Sequence, residues 1–245
     1  MKKSTLLSAL LGLVTLGGAA GHSGPAWAQD FKAILANPER PANEKALDAI
    51  RKPEEMLKFY GVKSGDKVAD LMASRGYYTA LLSLIVGEKG VVFSAHPTFR
   101  DETRERFKNP LYANVKLLEG GMGTVALPAD GSLDFVLINL DYHEVEAADR
   151  AAMNKRVFAA LKPGGVYGVV DHNAADGAGD SVGKTLHRIE KALVIKEVTA
   201  AGFKTGKEGE MLRNPDDPRT GNSLKEARGK TDRFVLRFEK PNQVR

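Results

Sequence analysis

Asp70 closes an apolar run (Lys67-Val68-Ala69-Asp70), and six residues later Gly76 opens a helical period, Tyr77 to Val86, followed by a second apolar run, Val91 to Ala95. Strand, loop, helix and strand in that order, between Lys67 and Pro97, form the half-site from which open parallel sheets build a pocket for a nucleotide-like cofactor. A glycine-rich cofactor loop reads acid-x-Gly-x-Gly-x-Gly. Here the stretch is Asp70-Leu71-Met72-Ala73-Ser74-Arg75-Gly76, which keeps only the last glycine. Asp70 suits either a ligand contact or capping of the helix that follows. Arg75 suits forked pairing with a carboxylate or a place in solvent.

A second set of chemistry-bearing residues is built on histidine. Three histidines fall at the carboxyl ends of predicted strands: His96, His143 and His172. Ligands of open α/β sheets bind at that carboxyl edge. Asp141, Tyr142, Glu144 and Asp171 join the histidines there, an acid and imidazole set suited to general-base work or metal ligation. The Asp171-His172 pair and the one-residue gap between Asp141 and His143 match no zinc spacing, so no residue is assigned to a metal. His187 is placed on a helix beside the apolar stripe Leu186, Ile189, Leu193 and Val194, where core-edge packing competes with a contact to Asp171 or to the polar loop.

These residues need elements to hold them. Apolar runs at 67–71, 91–95, 114–118, 133–139 and 165–171 alternate with helical periods at 77–86, 99–107, 146–161 and 182–201, the pattern of a parallel α/β sheet. The connection Glu119 to Ser132 is glycine-rich, and Pro163-Gly164-Gly165 is a tight turn into the fifth strand. Asn43 to Ile50 and Pro53 to Tyr60 read as helices of an N-terminal cap over 29–62, with Pro53 at a first helical position and Gly61 just past a helix end. Gly202 to Leu212 and Thr231 to Glu239 read as a final antiparallel strand pair around a long polar loop, 213–230, of a length that suits a lid.

The first 28 residues read as a secretory signal: Lys2 and Lys3, the apolar run Leu6 to Ala20, and the cleavage site Ala26-Trp27-Ala28. The apolar run is shorter than the ~20 residues of a membrane crossing and is broken by glycines. The expected mature chain is 29–245, a single domain of 217 residues in the periplasm, with no membrane association after cleavage. The chain has no cysteine, which excludes a disulfide framework and a lipid-modified cysteine. Removal of Lys2 and Lys3 lowers the formal charge from +5 to +3. The remaining basic residues are interleaved with acids, as in Glu102-Thr103-Arg104-Glu105-Arg106, which argues against a nucleic-acid partner.

Five parallel strands followed by an antiparallel pair resemble the class I S-adenosylmethionine-dependent methyltransferase fold. More narrowly, Asp70 to Thr79 (DLMASRGYYT), Leu133 to His143 (LDFVLINLDYH), Asp171-His172, Thr185 to Glu190 (TLHRIE), Leu212 to Thr220 (LRNPDDPRT) and Thr231 to Pro241 (TDRFVLRFEKP) resemble a family of exported predicted methyltransferases, from about Arg40 to Pro241. The resemblance implies a Rossmann-like sandwich with a seven-stranded, mostly parallel sheet in the order 3-2-1-4-5-7-6. It implies S-adenosylmethionine as cofactor, with Asp70 reaching the methionine ammonium and with Arg75, Gly76, Tyr78, His96, Met122 and Asn139 as further cofactor contacts. His96 stands where such enzymes place an acid for the ribose, and Gly121, beside Met122, where they often place one for the adenine amine. In the family pattern Pro-Gly-Gly-Gly precedes the aromatic pair, so Ala73, Ser74 and Arg75 depart from it and imply weak cofactor binding.

Methyl transfer from a sulfonium mainly needs alignment and exclusion of water. If the acceptor loses a proton, His143 with Asp141 is the expected base, with Tyr142 beside them, and His143 is expected nearer the donor than His172. The acceptor is an unidentified small molecule. Two alternatives remain open: a non-catalytic small-ligand-binding domain on the same fold, and a metal-assisted hydrolase built on the strand-end histidines.

Overall fold

The computed structural model describes residues 30–225 and 227–242, so the signal read into residues 1–28 lies outside the described residues. Seven strands, β1 (Lys67–Leu71), β2 (Val91–His96), β3 (Val115–Glu119), β4 (Leu133–Asn139), β5 (Leu161–His172), β6 (Lys204–Gly209) and β7 (Arg233–Glu239), form one sheet in the order β3-β2-β1-β4-β5-β7-β6. The first five are parallel, and β7 runs antiparallel between β5 and β6. The expected order and direction of the strands are both present.

Strand alternation sends neighbouring residues to opposite faces. On one face Val68, Phe135, Leu137 and Val170 pack with α1 (Phe31–Ala36), α4 (Pro53–Tyr60) and α5 (Tyr77–Val86), following two short helices, α2 (Ala42–Lys45) and α3 (Asp48–Arg51). On the other, Ala69, Leu71, Val136, Ile138 and Val169 pack with α7 (Ala147–Ala160) and α9 (Lys191–Ala200). Between these lie α6 (Asp101–Arg106) and α8 (Gly183–Leu186). Gly168 has a packing reason: a Cβ there would lie 2.7 Å from the Tyr60 ring, whose hydroxyl donates to the Leu236 carbonyl.

Among the described residues no helix is long and apolar enough to cross a membrane. The N-terminal cap has more pieces than expected: α1 was not anticipated, and the helix expected over 43–50 is two single turns. Arg40 holds them, donating to Asp48 at 2.7 and 2.8 Å and to the Leu35 carbonyl. Glu44 accepts from Arg106 at 2.6 and 2.9 Å and so docks the cap on α6.

The helix expected over 182–201 is broken between α8 and α9. His187 sits in the left-handed region at φ +51°, and Ile189 then bridges Asn173 beside the end of β5. Arg188, fully buried, turns inward to donate to the carbonyls of Asn173 and Gly221 and to both oxygens of Asp217. Loop 213–230 is thereby tied to the fold. Asp232 adds to this, accepting from Arg213, from the Asn214 N–H and from Arg219.

Candidate functional site

The loop from Asp70 to Gly76 keeps a glycine-like path with other residues in it. Met72 and Ser74 are left-handed at φ +54° and +51°, and Leu140, at the end of β4, is so at +63°. Such positions cost L-residues free energy and gather at functional sites. All three border one cavity of about 420 Å³, a size that takes a small ligand. Gly76 does not line it. Its φ is +81°, and a Cβ there would stand 2.5 Å from the Phe107 ring, so this glycine allows the turn into α5 and the packing of α6 behind it.

The cavity lies over the carboxyl ends of β1, β4 and β5. Residues 70–75, Tyr77 and Tyr78 form one side, residues 139–141 and His172 another, Leu47 and Arg51 of the cap a third, and Leu224 and Arg228 of loop 213–230 the rim. Among the residues expected in the site, Asp70, Arg75, Tyr78, Asn139 and Asp141 therefore come together. Sequence reasoning missed Arg51, whose guanidinium lies 4.4 Å from the centre of the Tyr77 ring, and also Leu140 and Leu224. Only the docking of the cap and the loop onto the sheet edge brings Arg51 and Leu224 there.

Asp70 is buried and accepts from the Thr79 hydroxyl at 2.6 Å, which in turn meets the Ser94 hydroxyl at 2.9 Å. Burial pushes its carboxyl up to about 7, against the lowering effect of the Thr79 hydroxyl and N–H and of Arg51. Thr79 is in the first turn of α5, so the capping role and a ligand-facing role coexist. Across the cavity Asp141 is also pushed up to about 7, first by burial and then by Asp171. Two under-compensated carboxyls and an arginine suit a ligand that carries both an ammonium and a carboxylate, which is the charge pattern of the methionine part of S-adenosylmethionine. The donor set fits that cofactor.

Tyr142, Met122 and His96 lie outside the cavity lining. Tyr142 is fully buried; its hydroxyl donates to Glu197 at 2.8 Å and accepts from Asn154, which makes it a core residue. Met122 is buried in the core beside α7 and offers no adenine shelf. His96 closes its own turn on Thr98 and packs on Phe99, while its register partner Glu119 accepts from the Phe99 N–H at 2.7 Å. Arg75 lines the cavity with an exposed side chain. Tyr77 and Tyr78 are both buried, and Tyr77 donates to Asp48 at 2.6 Å.

The histidines do not share one cleft. His172 lines the cavity, whereas His143 is buried outside its lining, reversing the expected order of approach. His172 bonds the Thr231 hydroxyl at 2.7 Å, and burial takes its pKa down to about 4, so the imidazole is neutral at pH 7 and a weak base. His143 bonds Asp171 through Nδ1 at 2.8 Å, and His187, off the helix it was assigned to, bonds Glu144 at 2.7 Å.

The description of the ubiE/COQ5 methyltransferase family matches residues 48–177, just over half of the chain. The chain belongs to that family. The ubiquinone/menaquinone biosynthesis C-methyltransferase UbiE of Pasteurella multocida is 32% identical to it over 108 residues, 43% of this chain and 39% of that protein. The chloroplastic 2-phytyl-1,4-beta-naphthoquinone methyltransferase of Arabidopsis thaliana is 31% identical over 121 residues, 47% of this chain and 45% of that one. These matches thus span less than half of each relative's length. The family's fold is present throughout: a SAM-dependent methyltransferase from Aquifex aeolicus aligns over 85% of this chain and 97% of its own, with a TM-score of 0.60 at 20% identity. The [4+2]-cyclase SpnF aligns over 79% and 81%, also at 0.60, with 15% identity. The cofactor that goes with this family and fold is S-adenosylmethionine. Neither alternative is favoured: the family is one of methyltransferases, and His96, His143 and His172 do not converge as a hydrolytic metal site would require.

Proposed function

We propose that the protein is an exported S-adenosylmethionine-dependent methyltransferase that holds its methyl donor weakly and acts on a small-molecule acceptor. The observation that carries this reading is Asp70, a buried and under-compensated carboxyl at the end of β1, facing a cavity that Arg51 and Asp141 also line, with Glu44, Arg75 and Arg228 as its remaining charged residues. S-adenosylmethionine supplies, when bound, an electrophilic methyl group on a sulfonium. Asp70 would hold the ligand's ammonium and Arg51 its carboxylate, while Leu47, Met72 and Leu140 keep water from the reacting atoms. Asn139 and Asp141, at the end of β4, border the space left for the acceptor.

The curated relatives named above are quinone methyltransferases, and Leu140 in the wall and Leu224 on the rim offer apolar surface suited to a flat, partly apolar acceptor. Weak donor binding is supported by the side chains at positions 73–75, which narrow the approach that glycines would leave open. Export is supported by the charged start, the apolar run and Ala26-Trp27-Ala28.

Calorimetry with S-adenosylhomocysteine tests the site. The parent is expected to bind with one-to-one stoichiometry and Asp70→Asn to lose at least tenfold in affinity. Equal binding by both would remove Asp70 as the ammonium contact and the reading with it.

A further inference from the structure

Outside the cavity, the turn after β4 and the break between α8 and α9 bring His143, Glu144 and His187 together, with their ligand atoms all within 4.8 Å of one another. Asp171, fully buried, accepts from the backbone N–H groups of His143 and His172 and bonds His143 Nδ1 at 2.8 Å. With Nδ1 engaged by Asp171, His143 turns Nε2 toward Glu144 Oε1, 3.2 Å away. A cation between these two atoms, a proton or a metal ion, satisfies both. His187 Nδ1 closes on the same oxygen at 2.7 Å, and the two rings meet edge to face with centroids 5.5 Å apart.

We propose that His143 Nε2, Glu144 Oε1 and His187 Nδ1 form a site for a divalent transition-metal ion of the zinc class. Donors about 2.0–2.1 Å from a tetrahedral zinc ion stand roughly 3.3 Å apart; His143 Nε2 and Glu144 Oε1 have that spacing at 3.2 Å, and His187 Nδ1, 2.7 Å from the same oxygen, would move outward to take the ion. A carboxylate on the far nitrogen of a ligating histidine is the usual outer support of such a site, and Asp171 has that position. His143 is nearly closed off while Glu144 and His187 are partly exposed, which leaves an entry path and a fourth position for water. The opposing charge is Lys184, 3.6 Å from Glu144 Oε2 and also paired with Glu146. Through the other oxygen it draws on the charge of the same carboxylate, and so competes with the ion for Glu144.

The ion would act as a fastener. The carbonyls of Leu186 and His187 accept from the N–H and hydroxyl of Ser223, next to Leu224 on the cavity rim. Metal at this point joins the turn after β4 to the left-handed residue that carries loop 213–230.

The test uses the untagged mature protein, freed of metal by a chelator and titrated with Zn²⁺ by calorimetry and with Co²⁺ by absorption spectroscopy. One equivalent is expected to bind, with an intense tetrahedral Co²⁺ spectrum and slower tryptic cleavage within 213–230. His187→Gln should weaken Zn²⁺ binding at least tenfold, and Lys184→Gln, at an exposed position, should tighten it severalfold by removing the competing ammonium. Should His187→Gln not fold, the parent spectrum and the Lys184→Gln comparison decide. Absence of a tetrahedral Co²⁺ spectrum, or equal Zn²⁺ affinity in the parent and Lys184→Gln, overturns the proposal and leaves a proton as the cation shared by His143 and Glu144.

Discussion

Replacing Asp70 with asparagine should stabilise the protein while it removes ligand binding. A carboxyl moved from its ordinary value near 3.8 to about 7 disfavours its ionised form by roughly 4 kcal/mol, at about 1.4 kcal/mol per unit. Asparagine escapes that cost and keeps an oxygen for Thr79, at a loss of about 1 kcal/mol for a weaker hydrogen bond. The net gain above pH 7 is then about 3 kcal/mol, or roughly 6–12 °C in melting temperature for a domain of this size. The sign follows from linkage. An acid whose folded pKa is raised binds its proton more tightly in the native state, so this contribution is favourable below pH 4 and is lost as pH rises from about 4 to 7. Thermal denaturation followed by circular dichroism from pH 4 to 8.5 reads this directly. The parent and Asp70→Asn curves should diverge through that window, with the variant higher at pH 8. Parallel curves, or a variant less stable at pH 8, would show that the carboxyl is not held ionised at a cost, and the inference that it awaits a cation would fall.

Ser74→Gly relieves a left-handed serine whose side chain is exposed. The strain of about 1–2 kcal/mol is offset by roughly 0.5–1 kcal/mol of glycine entropy, so stability should rise by no more than about 1.5 kcal/mol while S-adenosylhomocysteine binds severalfold tighter; unchanged binding would clear Ser74. Ala73→Pro should instead destabilise by more than 1 kcal/mol in urea titration, because the Ala73 N–H donates to the Ala95 carbonyl at 3.0 Å. Asp217 accepts from Arg188 twice and from the N–H groups of Asp232 and Arg219, and an amide oxygen can keep only about half of these. Asp217→Asn should therefore cost about 3–5 kcal/mol and open 213–230 to trypsin, and a shift in melting temperature below about 2 °C would refute it. Mass spectrometry of the periplasmic fraction should show Gln29 as the first residue, giving a mature protein without tryptophan; recovery of only intact Met1 chains from the cytoplasm would refute export.

The sheet was legible because its determinants are local. Period-2 and period-3.6 apolar patterns set strands and helices within one or two residues of their observed bounds for 67–71, 77–86, 133–139 and 146–161. Asp70, Asn139 and Asp141 were legible for the same reason, since the carboxyl end of a parallel strand is a place that topology prescribes. What the sequence by itself determined is thus the sheet, its helices and the edge on which a ligand would bind. Which side chains face that ligand was decided by packing across long separations. Arg51 reaches the cavity only because the cap docks through Arg40, Glu44 and Arg106, and Leu224 only because Arg188 and Asp217 pull the loop inward. Tyr142 and Met122 carry the same local signal as the residues that line the cavity, yet they are drawn into the core by Glu197, Asn154 and the apolar face of α7. His143 and His187, far apart in the chain, share a carboxylate because a left-handed residue breaks a helix that periodicity alone would continue. Local patterns specify where a chain can turn or pair, but the partner that satisfies a buried charge is a tertiary choice, set by burial that no short window of sequence contains.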